Sequence, residues 1–187
     1  ERIHEMCAGL RVELYDDDMC RDFLKEYFGE KAVEIFDNFN MGAHKADFWR
    51  YCKLFVNGGC YFDIKTDFDR PVLQAFDFTT PNKWYTVIDH SKHRIYNGII
   101  VTPPFNPVLW KAIRFIYRSP NPPVYTTYIR KLYKLLKREI GSVNQKLNQK
   151  LKPGVHRQKN GWTCELLSET CIKGDDRYGY VCQIRFQ

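Results

Sequence analysis

The sequence predicts a single α/β domain with a mixed sheet flanked by helices. Its 187 residues are 44% hydrophobic and 16% aromatic, which is enough apolar material to bury one sizeable core. Segments with the two-residue periodicity of strands alternate along the chain with segments that have the periodicity of helices. Because no internal repeat or low-complexity stretch interrupts this order, helices packed on a sheet are the expected arrangement.

The first half of the chain is predicted to hold two strands and three helices. Residues 11–15 (RVELY) alternate well enough for a short strand. The three aspartates at 16–18 supply the cap and first-turn acids of a helix, and Gly58 and Gly59 end the third helix. The helices are predicted over residues 16–28, 30–39 and 43–56, and the second strand over residues 60–65.

The second half is predicted to contain further strands and two longer helices. Asn106 caps the first of these helices, and Pro107 occupies the first helical position, where its missing N–H costs nothing. We expect Trp110 to anchor this helix in the core. Strands are predicted over residues 84–89, 94–102 and 178–186, helices over 107–118 and 125–149, and a short helix or strand after Thr163.

The composition excludes several classes of protein. No run of about 18 apolar residues exists, so no bilayer-spanning helix is predicted, and no charged-then-apolar signal segment opens the chain. The first residue is Glu1 rather than Met, from which we expect that upstream sequence has been removed. A membrane anchor or targeting signal could have been lost with it.

The net charge of +7 is concentrated in one segment. Residues 1–105 carry −4, residues 106–160 carry +12 and residues 161–187 carry −1. A helix in the basic segment carries cations opposite its apolar face, which is most often a solvated surface. It could also attract an anionic acceptor, a membrane surface with acidic lipids, or nucleic acid. The cations are Arg130, Lys131, Lys134, Lys137 and Arg138.

The seven cysteines are scattered and show no spacing typical of a zinc site. A structural metal or a dense disulfide framework is therefore not expected. If the chain is secreted, one or two disulfides among Cys164, Cys171 and Cys182 are compatible with the sequence.

The residues with the strongest chemical signal follow one another across a helix, a glycine turn and a strand. Asp47 and Arg50 are one helical turn apart, so they share a face. Asp63 lies near the carboxyl end of the strand that follows, where open α/β sheets bind ligands, and Tyr61 is two residues earlier on the same strand face. A surface ion pair and an ordinary strand end are the simpler interpretation of each residue taken alone.

The order and spacing of these residues resemble a known family. A helical (A/S)DxxRY segment, about seven further residues and then GGxYxDxx is similar to the glycosyltransferases with a DxD sugar-binding region. This family includes the initiation-specific mannosyltransferase of the yeast Golgi, and large clostridial glucosylating toxins share its motif. Here the match reads AHKADFWRYCKLFVNGGCYFDIKTDF. Flanking similarity in LRVELYDDDMCRDFLKEYF and IYNGIIVTPPFNPVLWKAI extends the resemblance to about residues 11–118.

The resemblance implies a nucleotide-sugar site in a GT-A-type fold. Residues 11–118 would form the donor-binding core of one glycosyltransferase-like domain over residues 1–187, and residues 119–187 its basic helical and C-terminal segment. Asp47 and Arg50 would bind the donor sugar's hydroxyl groups, with Arg50 also near the pyrophosphate. Tyr61 would line the sugar pocket, Asp63 would contact the ribose and the water shell of a metal, and Asn97 would contact the sugar. By the same resemblance, Asp47, Arg50 and Asp63 are the predicted catalytic residues.

The chain departs from the family pattern at Lys65, where the second acid of the DxD is expected. Asp67, two residues further, could supply the missing carboxylate on the same face if the strand continues, and would then bind Mn²⁺ or Mg²⁺ together with Asp63. Lys65 could instead neutralise the pyrophosphate as a point charge. The third alternative is an inactive relative of the family.

The family's usual first strand and its late His- or Trp-bearing segment are not recognisable, so we expect a fragment truncated at both ends or an atypically short member. The resemblance implies transfer of a hexose from a nucleotide-sugar donor to a hydroxyl acceptor on a glycan or protein, with retention of configuration. The alternative function is a non-catalytic basic module that binds nucleic acid or an anionic surface. The Golgi membrane or lumen is the compartment of the best-known relatives, while a cytosolic setting is equally compatible with these residues.

Overall fold

The computed structural model describes residues 2–64, 66–89, 93–140, 150–173 and 180–184. Within these residues the chain forms seven helices and a sheet of seven strands. The helices are α1 (Arg2–Met6), α2 (Asp17–Phe28), α3 (Glu30–Asp37), α4 (Gly42–Asn57), α5 (Val72–Ala75), α6 (Pro107–Arg118) and α7 (Thr127–Ile140). The strands are β1 (Gly59–Phe62), β2 (Thr66–Phe68), β3 (Lys83–Ile88), β4 (Ile95–Thr102), β5 (Gly154–Arg157), β6 (Thr163–Lys173) and β7 (Tyr180–Ile184).

The sheet is mixed, as the sequence predicts. Its strand order is β1-β4-β3-β6-β7-β2, and β5 pairs with β6 outside this path. The β3–β6 and β2–β7 pairs are parallel, and the other described pairs are antiparallel. The long strand β6 connects the two halves, because its first half pairs with β3 and β5 while its second half pairs with β7.

The two faces of the sheet bury separate apolar clusters. On one face, Trp84, Ile100 and Leu166 pack with apolar residues of α2, α3, α4, α6 and α7 in the main core. On the other face, Tyr85 and Val87 pack with a smaller cluster that includes residues of α5 and β2. Neighbouring residues of β3 therefore enter opposite cores, as the two-residue periodicity of a strand requires.

Local chemistry sets the ends of the helices. Asp16 caps α2, where its side chain accepts a hydrogen bond from the backbone N–H of Met19. Gly58 ends α4 with a positive φ of 64°, as predicted from the Gly-Gly stop. Asn106 caps α6 with Pro107 inside the first turn, also as predicted. For the long basic helix the prediction is confirmed as far as Ile140, while residues 141–149 lie outside the described part of the chain.

Two strand predictions are wrong. Residues 11–15 form no strand. The Tyr15 ring instead packs against Trp49, and the Lys53 ammonium lies over it. Side-chain contacts with α4 therefore replace hydrogen bonds to a neighbouring strand. The strand predicted over residues 60–65 ends at Phe62. The chain turns after Asp63, and β2 begins at Thr66 as a separate strand that pairs with β7.

Two expectations about single side chains are also wrong. Trp110 is 40% exposed, because it stacks on Phe55 at the surface instead of entering the core. Cys164 is a free, fully buried cysteine in the main core, so it forms no disulfide. Cys171 and Cys182 occupy paired positions in the β6–β7 ladder, but their side chains lie outside the described part, so a bond between them stays a prediction.

Candidate functional site

Three elements converge on one polar cluster beside the main core. Helix α4 contributes Asp47 and Arg50, which lie one turn apart on its buried face. The glycine turn after α4 leads directly into β1, the strand at the end of the sheet order, and Asp63 follows this strand. Strand β4, the partner of β1, contributes Asn97. The backbone N–H of Asp63 donates to the Gly98 carbonyl (2.8 Å), which holds the end of β1 against β4.

An irregularity in β4 positions Asn97. In the ladder between β3 and β4, Thr86 pairs with Ile100 and Val87 pairs with Tyr96, so residues 97–99 have no counterpart on β3. This is a β-bulge, a distortion that turns side chains out of the regular pattern and is often found next to active sites. The bulge directs the side chain of Asn97 toward α4.

Asn97 joins the buried groups of α4 to the sheet. Its side-chain amide donates to Asp47 Oδ1 (2.8 Å) and to the Tyr51 hydroxyl (2.7 Å). Arg50 Nη1 donates to the Asn97 carbonyl (2.8 Å), and Arg50 Nη2 forms an ion pair with Asp47 Oδ1 (3.4 Å). These contacts satisfy polar groups that would be costly to bury alone.

Asp63 lies at the edge of the sheet, directly after strand β1. Its Oδ1 atom pairs with Arg50 Nη1 (3.4 Å) and accepts a hydrogen bond from the Tyr61 hydroxyl (3.0 Å). Its Oδ2 atom accepts a hydrogen bond from the Tyr96 hydroxyl (3.2 Å). The Arg50 guanidinium lies over the Tyr61 ring, 4.2 Å from its centroid, which adds a cation–π contact to the ion pairs.

The charged side chains of the cluster differ in their exposure to solvent. The side chains of Arg50 and Asp47 are 6% and 9% exposed, whereas that of Asp63 is 36% exposed. Asp63 is therefore the carboxylate of the cluster that faces solvent. Neither of two surface cavities, with volumes of about 440 and 230 Å³, is lined by the cluster.

The surrounding protein shifts the pKa values of Asp47, Arg50 and Tyr61. Burial raises the pKa of Asp47, and Arg50 and Asn97 partly oppose this increase. Burial by itself lowers the pKa of Arg50, but the neighbouring Asp47, Tyr61 and Asp63 raise it above its ordinary value, so Arg50 carries its charge. Burial also raises the pKa of Tyr61. The Tyr61 hydroxyl therefore stays protonated and donates a hydrogen bond to Asp63.

The structure brings together five of the predicted site residues: Asp47, Arg50, Tyr61, Asp63 and Asn97. It adds Tyr51 and Tyr96, two tyrosines whose hydroxyls bond to cluster members and which the sequence reasoning did not select. The signal for Tyr51 was its place as the final residue of the DxxRY segment. Tyr96 carried no sequence signal beyond its position next to Asn97.

The expectation that Asp67 continues the strand of Asp63 is wrong. Asp67 is a buried residue of β2, which pairs with β7 in the other half of the sheet. Lys65, between the two aspartates, lies outside the described residues. A metal-binding role for Asp67 stays a prediction.

The described residues do not by themselves form a metal site. No group of three His, Cys, Asp or Glu side chains within the described ranges could hold a metal ion. Asp63 is a carboxylate whose two oxygens contact Arg50 and two tyrosine hydroxyls, and a cation already lies beside it. Because this donor set does not match what Mn²⁺ or Mg²⁺ requires, we derive no catalytic step through a metal.

Comparisons with known proteins find one matching family model. Residues 2–91 match a family model described as a glycosyltransferase sugar-binding region containing a DXD motif. These 90 of the 187 residues are therefore similar to that glycosyltransferase family. The match contains Asp47, Arg50, Tyr61 and Asp63, while Asn97 lies beyond it and joins the site through the fold. The mixed sheet flanked by helices agrees with the GT-A-like fold that the sequence resemblance implies.

One similar protein is an uncharacterised glycosyltransferase of Acanthamoeba polyphaga mimivirus. It is 39% identical to this chain over 67 residues, which are 34% of this chain and 27% of the viral protein. The matched stretch is thus about a quarter of the length of that relative. No solved structure matches the chain. Across the described residues, no helix is long and apolar enough to cross a bilayer.

Proposed function

We propose that this chain binds a nucleotide sugar at the cluster of Asp47, Arg50, Tyr61, Asp63 and Asn97 and transfers its hexose to a hydroxyl acceptor on a glycan or protein. The observation that carries the proposal is the convergence of these five side chains from α4, the end of β1 and the bulge of β4. Four of the five lie within the matched sugar-binding region.

Each group has a role that its chemistry supports. The carboxylate of Asp47 and the amide of Asn97 offer an acceptor and a donor for sugar hydroxyl groups. Asp63, the exposed carboxylate, is available to accept hydrogen bonds from ribose hydroxyls. Tyr61 would line the sugar pocket, and its ring lies against the Arg50 guanidinium.

Arg50 would provide the electrostatic part of catalysis. The nucleoside diphosphate gains negative charge as its bond to the sugar breaks, and a fixed cation beside it stabilises that charge. Arg50 is held by Asp47, Asp63 and the Asn97 carbonyl before the donor binds, so little reorganisation is needed. Retention of configuration is taken from the family resemblance, and the fixed groups of the cluster would act through positioning and charge stabilisation.

Binding would exchange contacts within the cluster for contacts with the donor. In the structure, Arg50, Asp47 and Asn97 satisfy one another, and Tyr61 covers the guanidinium. Sugar hydroxyl groups can replace the hydrogen bond between Asp47 and Asn97, because a hydroxyl both donates and accepts, while Arg50 keeps its ion pairs.

Nucleotide-sugar binding to the purified chain tests the proposal. Thermal-shift and calorimetric titrations with a panel of UDP- and GDP-sugars, with and without manganese or magnesium, should give a selective increase in stability for one donor. Asp63→Asn should weaken that binding at least about tenfold, since it removes the carboxylate proposed to accept charge-assisted hydrogen bonds from the ribose.

Asp37→Asn is the matched control. Asp37 is also a partly exposed aspartate, 42% exposed, that pairs with an arginine, Arg21, but it lies on α3 away from the cluster. The control should bind the donor as the unmodified chain does. Absence of a selective shift with any donor, or equal binding by the two variants, would contradict the proposal. Donor binding without measurable transfer or donor hydrolysis would identify an inactive relative.

A further inference from the structure

The exposed side of α6 and α7 carries a surface of a single charge sign. Arg114 and Arg118 of α6 are exposed, as are Arg130, Lys134 and Arg138 of α7. Glu139 is the one acidic residue among residues 106–160, and it is already paired with Lys111. This positive surface therefore has no anionic partner of its own within that segment.

The cations of the two helices lie close to one another. The Lys131 ammonium lies over the Phe115 ring, 4.2 Å from its centroid, which places α7 cations beside α6. Partial burial lowers the pKa of Lys131, and the nearby Arg138, Lys134 and Arg118 lower it further. Like charges held at this proximity repel one another, so an anionic surface that neutralises them would gain free energy.

An aromatic surface continues from the cations along α6. Trp110, Arg114 and Arg118 are spaced four residues apart, so they form one stripe along the helix. Trp110 stacks on Phe55, with ring centroids 5.1 Å apart, and remains 40% exposed. A cavity of about 440 Å³ opens between α2 and α6, and its lining combines Tyr27 and Trp110 with the two arginines.

Phe105 projects from the loop before α6. It is 66% exposed, and it has a backbone φ of 61°, in the left-handed region that a bulky residue rarely adopts. A hydrogen bond from its backbone N–H to the Phe55 carbonyl (2.7 Å) holds this conformation, and its ring packs edge-on against the Phe55 ring. The fold thus holds an apolar ring in solvent at an energetic cost.

We propose that the α6–α7 face, with Phe105 and Trp110 at one end, docks on a bilayer that contains acidic phospholipids. Clustered Lys and Arg bind an anionic leaflet, while exposed aromatic residues insert at the level of the headgroups. The cavity between α2 and α6 adds an apolar opening edged by arginines, which fits a lipid phosphate and the glycerol beneath it.

The aromatic rings favour a bilayer over nucleic acid. Base stacking needs ring faces that are free to receive bases. One face of Trp110 is covered by Phe55, and Phe115 is covered by Lys131. The projecting Phe105 is instead suited to insertion between headgroups.

Vesicle co-sedimentation tests the inference. The chain should bind vesicles in which about a third of the phosphatidylcholine is replaced by phosphatidylserine, and should bind pure phosphatidylcholine weakly, with a steep loss as salt increases. The double variant Lys134→Glu with Arg138→Glu should reduce the partition coefficient at least about tenfold. The matched control, Arg11→Glu with Arg70→Glu, reverses two exposed cations elsewhere and should change it less than about twofold.

Phe105→Asn separates insertion from charge. Asn tolerates the left-handed backbone, so the loop should keep its conformation while losing the apolar ring. Binding at high salt, where charge attraction is screened, should decrease in this variant. The inference is overturned if vesicle binding is absent, if both charge-reversal pairs weaken it equally, or if Phe105→Asn has no effect and single-stranded RNA displaces the chain from vesicles. The last result would assign the surface to nucleic acid.

Discussion

At the scale of single residues, the site depends on groups that hold Asp63 from two sides. Arg50 and Tyr61 contact one carboxylate oxygen, and Tyr96 contacts the other. Gly98 lies directly behind this carboxylate, and its carbonyl accepts the backbone N–H of Asp63. A side chain at position 98 would occupy the space that Asp63 and Tyr96 now use. The orientation of the Asp63 side chain therefore depends on the bulge in β4 as well as on Asp63 itself.

Gly98→Ala tests this dependence. The new Cβ would lie well inside van der Waals distance of Asp63 Oδ2 and of the Tyr96 ring and hydroxyl, so both side chains must move. Because these are side-chain ends rather than backbone, we expect the fold to survive at a cost of about 1–3 kcal/mol. Donor affinity should decrease at least about tenfold as Asp63 leaves its place beside Arg50. Calorimetric titration with the preferred nucleotide sugar and a thermal melt measure the two effects.

The control for that experiment is Gly42→Ala, where an added Cβ meets no atom within 4 Å. It should leave donor affinity unchanged. A folded Gly98→Ala protein with undiminished affinity would mean that the position of Asp63 does not matter for donor binding.

At the scale of elements, the turn between α4 and β1 sets the distance between the two halves of the site. Gly58 ends α4 with a positive φ, and β1 begins at the next residue. Arg50 on the helix and Asp63 after the strand can meet because only this turn separates the two elements. The turn also packs against the loop before α6, where Phe105 N–H bonds to the Phe55 carbonyl at the end of α4.

Gly58→Ala should destabilise this junction strongly. A Cβ at residue 58 would lie 2.7 Å from the backbone nitrogen of Pro104, and the φ of 64° disfavours any side chain. The clash is with backbone, so relief requires movement of the loop before α6. We expect the free energy of unfolding in urea to decrease by about 2–3 kcal/mol, the combined cost of the strained backbone and the overpacking. A decrease below about 0.5 kcal/mol, the range of ordinary surface substitutions, would show that the junction is adaptable.

At the scale of the whole molecule, the C-terminal segment completes the sheet that supports the site. Strand β6 pairs in parallel with β3, residue by residue from Thr163 to Ser168. Its apolar residues Cys164 and Leu166 enter the main core together with residues of α4 and α6. The segment that matches the family model, residues 2–91, therefore depends on strands far beyond its own end.

Leu166→Ala tests this integration. Leu166 is fully buried in the main core, so its truncation should lower the free energy of unfolding by about 2–5 kcal/mol. Val155→Ala on the neighbouring strand β5 is the control, because Val155 is largely exposed and should contribute little. Both are measured by urea unfolding followed by tryptophan fluorescence. Equal, small effects would mean that the C-terminal strands are attached loosely rather than built into the core.

The sequence by itself determined the helices that carry the candidate site and the residues of α4 that the structure brings into it. Caps and stops such as Asp16, Gly58 and Asn106 act on their immediate neighbours, and the one-turn spacing of Asp47 and Arg50 is a local property of α4. Local patterns failed where pairing decided the outcome. Residues 11–15 alternate like a strand but contact α4 through side chains instead.

Only the tertiary structure decided which distant groups meet. The bulge in β4 brings Asn97 to Asp47 and Tyr96 to Asp63, and the turn after Asp63 leads Asp67 into a separate strand that pairs with β7. These arrangements depend on the register between strands, which is fixed by the combined packing of two cores on opposite faces of one sheet. No window of neighbouring residues contains that information, because the groups it relates are separated by tens of positions in the chain.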